Sequence, residues 1–350
     1  MNRSHPTFSC PMPIVHHERI LMAHGGGGRL MHQLIESVFL RPFGNPVLNA
    51  AHDSAQFLPP KGRLAFTTDS YVVNPIFFPG GDIGSLSVHG TVNDLAMSGA
   101  RPIGLSCAFV IEEGLSMETL GRVAKSLAEA AASCGVPIVT GDTKVVERGK
   151  CDSIFINTSG IGIMEHSLCI SPQGIRPGDA ILLSGDLGRH GMAVMALREG
   201  LQFESTIESD SAPVHQPVLE MIQAGVGIHC LRDLTRCGLS AALNELAEAS
   251  GLAFQVEESL IPVNEDVHAA CELLGLDPLC VANEGRFIAF IPAAESETAL
   301  NVLRSFQVSA NAVCIGKVMN SGDPAVLIKS RMGSIRLLDM PSGEQLPRIC

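Results

Sequence analysis

The first half of the chain alternates between a helical and a strand period of apolar residues. The stretch 117–134 places Leu120, Leu127 and Ala131 on one face at helical spacing, and Gly135 provides a stop. The same reading predicts helices over 86–98 and 117–134, and strands over 63–69, 102–110, 138–140 and 154–163. Asn93 and Asp94 fall off the apolar stripe of the first helix. Together these elements predict one α/β unit.

The second half shows its own alternation after a turn-rich stretch at 171–178. Helices are predicted over 191–199, 239–249, 264–274 and 295–305, and strands over 180–184, 287–291 and 312–318. The segments 325–329 and 334–338 predict a closing hairpin. We therefore predict a loose extension over 1–18, an N-terminal domain over 19–170, a C-terminal α/β domain over 171–338 and a mobile tail over 339–350.

Composition agrees with a packed two-domain protein. The chain has 350 residues, of which 46% are hydrophobic and 17% charged, with a net charge of −12. This charge argues against nucleic acid or an anionic membrane as partner, although metal ions held by carboxylates allow nucleotide binding. The 11 cysteines are scattered, and no CxxC pair occurs. Reduced thiols in a cytoplasmic protein fit this usage best.

The last ten residues contain two prolines and a glycine, and they end on Cys350. Such a terminus is mobile unless something docks it, and when extended it spans about 30 Å at about 3.3 Å per residue. Two interpretations stand at this point. The tail is either a frayed end with an incidental thiol, or an arm that carries a chemical group on its cysteine into a site built by the preceding residues.

Several aspartates lie at predicted strand ends or beside glycines, namely Asp53, Asp69, Asp94, Asp142 and Asp233. Mg²⁺ favours a few carboxylates together with substrate phosphates and water, so such a set suits a metal–nucleotide site if the fold brings it together. Each aspartate alone is also an ordinary cap or turn residue. Four glycines, Gly25, Gly26, Gly27 and Gly28, form a loop that either closes over phosphates or acts as a hinge.

Two further stretches carry reactive side chains. The segment 141–144 follows a predicted strand, and its Lys144 could neutralise phosphate or act as a base. Glu284 precedes the strand at 287–291, where it could accept a proton or merely form the turn. His24 and His190 are candidates for phosphate contact.

Taken together, the motifs resemble the family of the hydrogenase maturation factor HypE, a carbamoyl dehydratase within the superfamily of aminoimidazole ribonucleotide synthetase and selenophosphate synthetase. The resemblance covers about residues 20–350 and rests on segments 24–28, 67–72, 78–84, 90–96, 140–146, 232–236, 282–285 and 347–350. It implies a homodimer with the two-domain α/β (α+β) aminoimidazole ribonucleotide synthetase-like fold.

The resemblance also implies the site. ATP would lie between N-terminal domains, bordered by His24, the Gly25–Gly28 loop, Asp94 and Asp142, with Mg²⁺ on Asp69, Asp94 and Asp233. A carbamoyltransferase, HypF, would load Cys350. Phosphorylation of the carbamoyl oxygen and proton removal, assisted by Lys144 and Glu284, would leave thiocyanate, whose cyanide passes to the HypC–HypD scaffold.

Two other functions stay open at this stage. One is a small-molecule synthetase or kinase similar to selenophosphate synthetase, and the other is a nonenzymatic docking scaffold. The first would need a reactive residue near the N-terminus, where Cys10 lies in the loose extension. One departure from the family pattern concerns Cys237, which stands where relatives usually have Gly-Gly and puts the backbone freedom of that loop in question.

Overall fold

The computed structural model describes residues 17–50, 54–58, 61–201, 206–320, 323–340, 346 and 348–350. Nearly all of the predicted loose extension, Asp53 and six of the last ten residues therefore lie outside the described residues. Within these ranges no helix is both long and apolar enough to cross a bilayer.

Ten α-helices and one π-helix are found in the described residues. The α-helices are α1 Arg29–Leu34, α2 Arg41–Phe43, α3 Pro46–Asn49, α4 Ile83–Met97, α5 Met117–Ser133, α6 Arg189–Arg198, α7 His215–Gln223, α8 Gly238–Ser250, α9 Glu265–Leu274 and α10 Ser296–Arg304, with the π-helix at Ile35–Leu40. Short 3₁₀ turns include Met22–Gly25 and Pro278–Cys280.

The strands, in chain order, are β1 Arg63–Tyr71, β2 Phe77–Phe78, β3 Gly81–Asp82, β4 Arg101–Glu112, β5 Ile138–Val146, β6 Ile154–Met164, β7 Asp179–Leu183, β8 Cys230–Asp233, β9 Ala253–Glu257, β10 Phe287–Pro292, β11 Val313–Val318, β12 Ala325–Lys329 and β13 Ile335–Leu337. The two-domain α/β (α+β) fold predicted from the sequence is confirmed.

The N-terminal sheet has the order β1-β6-β4-β5, in which only the β4–β5 pair is parallel. Helix α4 packs on one face of it, and α5 packs against α4. Helix α5 begins at Ser116, whose side chain accepts from the Thr119 N–H, and it buries the apolar face that the sequence predicted. The opposite face of the sheet is only partly buried, and Phe66 on β1 is 71% exposed there.

The C-terminal sheet has the order β13-β12-β9-β11-β7-β10-β8. The predicted hairpin is confirmed, because β12 and β13 pair antiparallel. Three elements that the sequence reading did not predict, α7, β8 and β9, complete this half. Of these, β8 and β9 are only four and five residues long, which leaves little room for a clear period.

Helix α4 joins the two halves and is buried on nearly all sides. It packs against α5 and β1 on one side and against α7 and β8 on the other. Asn93 fixes this contact, because its amide donates to the carbonyls of Ala212 and Glu284 and accepts from the Val214 N–H at 2.8 Å. The neighbouring Asp94 is thereby carried to the junction of the two halves.

One predicted loop is wrong. The sequence reading ended a strand at residue 140 and placed Asp142 and Lys144 in the loop that follows. In the structure β5 continues to Val146, paired with β4 through Lys144↔Val110 and Val146↔Glu112. Polar residues are tolerated in an edge strand because one side of the strand faces solvent. The polarity of this segment therefore led the sequence reading to predict a loop.

Candidate active site

Two of the predicted aspartates meet where β1 passes α4. Thr67 and Asp69, two residues apart, both lie on the helix-covered side of β1. The Thr67 hydroxyl donates to Asp94 Oδ2 at 2.7 Å. Burial raises the pKa of Asp94, the Thr67 hydrogen bond opposes this, and the charge of Asp69 adds to it. The two carboxylates therefore lie close enough to repel each other.

Asp233 joins them from the C-terminal half, at the end of β8. Burial first, and then repulsion from Asp94 and Asp69, raise the pKa of Asp233 to about 7, against the opposing charge of Arg232. Within the described ranges, no three His, Cys, Asp or Glu side chains are gathered as a ready-made metal site. The structure thus groups Asp69, Asp94 and Asp233 electrostatically but does not assemble them as a closed ligand set.

Glu284 is buried beside this group, with 3% of the residue exposed. Its loop is held by Asp210, whose Oδ2 accepts from the Glu284 and Gly285 N–H groups at 3.3 and 3.0 Å. A side chain at Gly285 would collide with the Asp210 carbonyl oxygen, so the loop needs glycine there. In the described part of the chain, Glu284 Oε1 has no hydrogen-bond partner. Asp210 was not predicted from the sequence, because it lies in a stretch without regular structure.

Cys350 reaches the same place from the end of the chain. Its thiol lies within hydrogen-bonding reach of the Glu284 carboxyl group. Burial and the neighbouring Glu284 raise the pKa of the thiol well above its ordinary value, and the positive charge of Arg236 opposes the shift. Burial, and then Asp233, Asp210 and Asp69, likewise raise the pKa of Glu284. In the docked state both groups therefore favour their protonated, neutral forms.

The described end of the tail is fixed rather than frayed. Leu346 and Ile349 are buried, with 9% and 3% exposed, and pack into the core with residues of α6. Arg348 donates to Asp152 Oδ2 at 2.8 Å, and the Ile349 carbonyl lies 2.7 Å from His190 Nε2. Both ring nitrogens of His190 have protein partners, the other being the Ser209 hydroxyl. The structure thus contradicts the prediction that His190 contacts phosphate.

The glycine loop packs against β5. A side chain at Gly25 would lie 2.6 Å from the Val145 backbone nitrogen, and Gly27 has a φ of +77°. His24 is buried, and its Nδ1 accepts from the Leu21 N–H at 2.9 Å. The loop therefore follows a backbone path that only glycine allows, and the imidazole of His24 closes the preceding turn.

Asp142 and Lys144 lie apart from the group around Glu284. Lys144 Nζ donates to both carboxylate oxygens of Asp142 at 2.6 Å, and this contact is the main reason that the pKa of Asp142 is lowered. Asp142 is in register with Ala108, then with Asn157 and Ser70, so it shares their open face of the sheet. Asp69 lies on the covered face, and β1 and β5 are opposite edges. Within a single chain, Lys144 therefore lies away from Cys350.

An apolar cavity of about 130 Å³ opens next to Asp142. Its walls come from α1, the π-helix, α2 and α3 on one side and from β4 and β5 on the other, including Phe39, Phe109 and Thr140. The Gly25–Gly28 loop, this cavity and the Asp142–Lys144 pair thus all lie along the β5 edge.

The chain matches two family profiles, AIR synthase related protein, N-terminal domain, over residues 51–164 and the corresponding C-terminal domain over 176–329. It is 52% identical over 329 residues to the carbamoyl dehydratase HypE of Azotobacter vinelandii, covering 94% of this chain and 96% of that protein. It is 45% identical over 336 residues to HypE of Escherichia coli K12, covering 95% and 99%.

Solved structures agree. A crystal structure of HypE in complex with ATP superposes with a TM-score of 0.91 at 49% identity, covering 94% of this chain and 99% of that one. HypE in a HypE–HypF complex superposes with a TM-score of 0.78 at 45% identity, covering 88% and 99%. On this evidence the chain belongs to the HypE family of AIR synthase-related proteins.

Proposed function

We propose that this protein dehydrates a carbamoyl group carried on its own Cys350 to a thiocyanate, at the expense of ATP, and so supplies the cyanide ligand for nickel–iron hydrogenase maturation. The observation that carries the proposal is the contact between the Cys350 thiol and the Glu284 carboxyl group beside Asp69 and Asp233. The carbamoyl dehydratase name of the relatives and the ATP complex of a similar structure support it.

The chemistry requires an activated oxygen and two proton removals. Transfer of the γ-phosphoryl group to the carbamoyl oxygen, with loss of one N–H proton, forms an S-linked imidate phosphate. Cleavage of the C–O bond with loss of the second proton releases phosphate and leaves S–C≡N on Cys350. The balance is S-carbamoyl plus ATP to S-cyano plus ADP, phosphate and a proton. Carrying the substrate on a docked tail makes both steps intramolecular.

Glu284 is placed to accept one of these protons. It lies at the sulfur that carries the group, it is shielded from water, and its raised pKa makes the carboxylate a strong base once it ionises. Arg236 is the cationic group at the same sulfur. For Lys144 we propose contact with the nucleotide phosphates or proton transfer, from the open face of the sheet.

The donor set fits Mg²⁺. Repulsion among Asp69, Asp94 and Asp233 raises the pKa values of the last two, and a divalent cation would relieve this repulsion. We propose that these three residues hold the metal, which when bound neutralises charge on the phosphates. The Gly25–Gly28 loop, His24, Asp94 and Asp142 are proposed to border the nucleotide, with its base in the apolar cavity.

The arrangement argues for a homodimer. Asp142 and Lys144 lie at one edge of the N-terminal sheet on its open face, and Asp69 lies at the other edge on the covered face, about 14 Å away across three strand spacings of about 4.8 Å. The open face also exposes Leu64 and Phe66. A second copy packed on this face would cover the apolar residues and add its Lys144 to the nucleotide site.

The tail must alternate between a docked position and a released position. The docked thiol is shielded by Glu284, so loading by a carbamoyltransferase such as HypF requires release of the tail, and a complex of relatives with HypF supports this partner. We propose that the cyanide then passes to a HypC–HypD scaffold.

None of the ten cysteines in the described residues forms a disulfide, in keeping with a proposed cytoplasmic location. The domain limits near residues 170 and 338 likewise remain proposals.

The test is direct. Protein loaded by HypF is mixed with ATP and Mg²⁺, and the mass of its C-terminal peptide is followed. We expect loss of one water from this peptide, dependent on ATP, and no such loss with Cys350→Ala. If Cys350→Ala still forms cyanide, or if the loaded peptide keeps its mass while ATP is hydrolysed, the proposed function is wrong.

A further inference from the structure

The last two peptide carbonyls of the tail both accept hydrogen bonds from side chains of α6. The Arg348 carbonyl accepts from Arg198 Nη2 at 2.7 Å and from the Asn74 N–H at 3.2 Å. The Ile349 carbonyl accepts from His190 Nε2 at 2.7 Å. The second contact is the one directly adjacent to Cys350, so it sets where the peptide that carries the thiol begins.

The tautomer of His190 follows from its partners. A carbonyl oxygen has no proton to give, so the hydrogen bond to Ile349 requires a proton on Nε2. Nδ1 then accepts from the Ser209 hydroxyl at 2.8 Å, and the Ser209 oxygen accepts from the Ser211 N–H at 3.0 Å. Burial lowers the pKa of His190, which keeps the ring neutral with this single arrangement. The imidazole is therefore a fixed donor.

The same anchor is tied to the loop of Glu284. Asp210 Oδ1 accepts from the His190 N–H at 3.0 Å, and its Oδ2 accepts from the N–H groups of Glu284 and Gly285. One carboxylate thus links the first turn of α6 to the backbone that positions Glu284. Phe78 packs edge-on against the imidazole at 5.3 Å, which limits rotation of the ring.

We propose that His190 is a positioning residue: by holding the Ile349 carbonyl through Nε2–H, it places the group carried on Cys350 against Glu284. This inference rests on the proposed dehydratase function. His190 contacts neither the sulfur nor the nucleotide in this assignment, and it acts only through the tail.

The test compares His190→Leu, which removes the donor at similar volume, with His190→Gln, whose amide can donate from a similar position. His268→Leu on the exposed side of α9 serves as a matched control. Two rates are measured for each protein, namely alkylation of Cys350 by iodoacetamide without ATP, and loss of water from the HypF-loaded peptide in a single turnover. Melting temperature is recorded to verify folding.

We expect His190→Leu to slow dehydration by about 100-fold, the loss that a misplacement of about 1 Å produces, and to raise Cys350 alkylation about tenfold or more. Loading by HypF should be unchanged or faster, because it uses the released tail. His190→Gln should restore both rates to within about threefold of the unmodified protein, a rescue that a merely structural role of the ring does not predict.

If His190→Leu lowers the melting temperature too far, Ser209→Ala replaces it. Loss of the hydroxyl leaves Nδ1 without its donor and should shift both rates in the same directions by a smaller factor. The proposal is overturned if His190→Leu dehydrates at the unmodified rate, if it leaves Cys350 protected, or if His190→Gln is as impaired as His190→Leu. Failure of the unmodified protein to lose water would instead overturn the proposed function, while the alkylation arm, which needs no turnover, would still report tail docking.

Discussion

The thiol of Cys350 and the carboxyl group of Glu284 lie within hydrogen-bonding reach; Glu284 raises the pKa of the thiol, whereas the thiol lowers the pKa of Glu284, against the larger effect of burial. A docked thiol of this kind is protonated and poorly nucleophilic, and the adjacent acid holds its proton. The docked tail is therefore suited to processing a group that has already been attached, whereas attachment requires the tail to leave. This relationship leads to the first two predictions.

Cys350 should react slowly in the folded protein. The thiolate is the reactive form, and the raised pKa together with burial disfavours it. We expect iodoacetamide to modify Cys350 about tenfold or more slowly than the exposed Cys169 at pH 8, with the rate for Cys350 rising as the pH increases. The measurement is time-resolved peptide mass spectrometry, with urea-unfolded protein as the reference in which both react alike. Equal rates in the folded protein would show that the tail is not docked.

Glu284→Gln should abolish dehydration while stabilising the fold. Removing a proton acceptor costs about 100-fold or more in rate. Because the pKa of Glu284 is raised in the folded state, that state binds more protons than the unfolded state above the ordinary pKa of the carboxyl group, and the stability of the unmodified protein falls as pH rises. The melting temperature of Glu284→Gln should therefore exceed that of the unmodified protein by more at pH 8 than at pH 5. Glu272→Gln at an exposed site of α9 is the control, and a gain independent of pH would contradict this explanation.

Two inactive variants should restore activity when paired. If each nucleotide site combines Lys144 of one copy with Glu284 of the other, a heterodimer of Lys144→Ala and Glu284→Gln has one intact and one doubly defective site. A purified heterodimer carrying two different tags should dehydrate at about half the unmodified rate, while each variant homodimer is slow and still accepts a carbamoyl group. A heterodimer as inactive as its parents would place both residues in one chain.

Phe66→Glu should dissociate the proposed dimer. The side chain lies on the open sheet face with 71% exposed, and a buried, unpaired carboxylate there would disfavour association. We expect a monomer by light scattering, with loss of ATP-dependent dehydration and little change in melting temperature. Leu273→Glu makes the same change at a position of α9 that is also 71% exposed, and this variant should remain dimeric and active. A dimeric Phe66→Glu would redirect the interface to another face.

Cys237→Gly should leave the protein equally or more stable. Cys237 has a φ of +60° and is followed by Gly238 at +58°, a left-handed pair that costs a non-glycine residue about 1–2 kcal/mol. The greater freedom of glycine in the unfolded chain offsets about 0.5–1 kcal/mol of this gain. We expect an increase in the free energy of unfolding of about 0.5–1 kcal/mol by urea denaturation, and no gain for Cys237→Ala. A loss of stability would indicate that the thiol contributes packing.

The departure at Cys237 from the expected family pattern does not change the backbone conformation. The resemblance predicts glycine in this loop, and Cys237 adopts the left-handed conformation that glycine favours. The loop keeps its path, and the strain is borne locally.

Regular elements with a strong local period could be read from the sequence alone. Helix α5 was predicted to within one residue, because its apolar face repeats at helical spacing and a glycine stop follows it. The hairpin of β12 and β13 was also predicted, because its two strands are close together along the chain. The continuation of β5 through Asp142 and Lys144 could not be predicted in this way, because its pairing depends on the distant strand β4.

The site, like the fold, has features that could be predicted from the sequence and features that required the structure. The sequence by itself determined the candidate reactive side chains, namely the aspartates, Glu284 and a terminal cysteine, because residue type and motif are local properties. Only the tertiary structure decided that Cys350 meets Glu284, that His190 holds the tail rather than phosphate, and that Lys144 lies on the opposite face of the sheet from Asp69. These relations arise from packing between segments distant along the chain, where burial and mutual charge, rather than local pattern, set position and protonation.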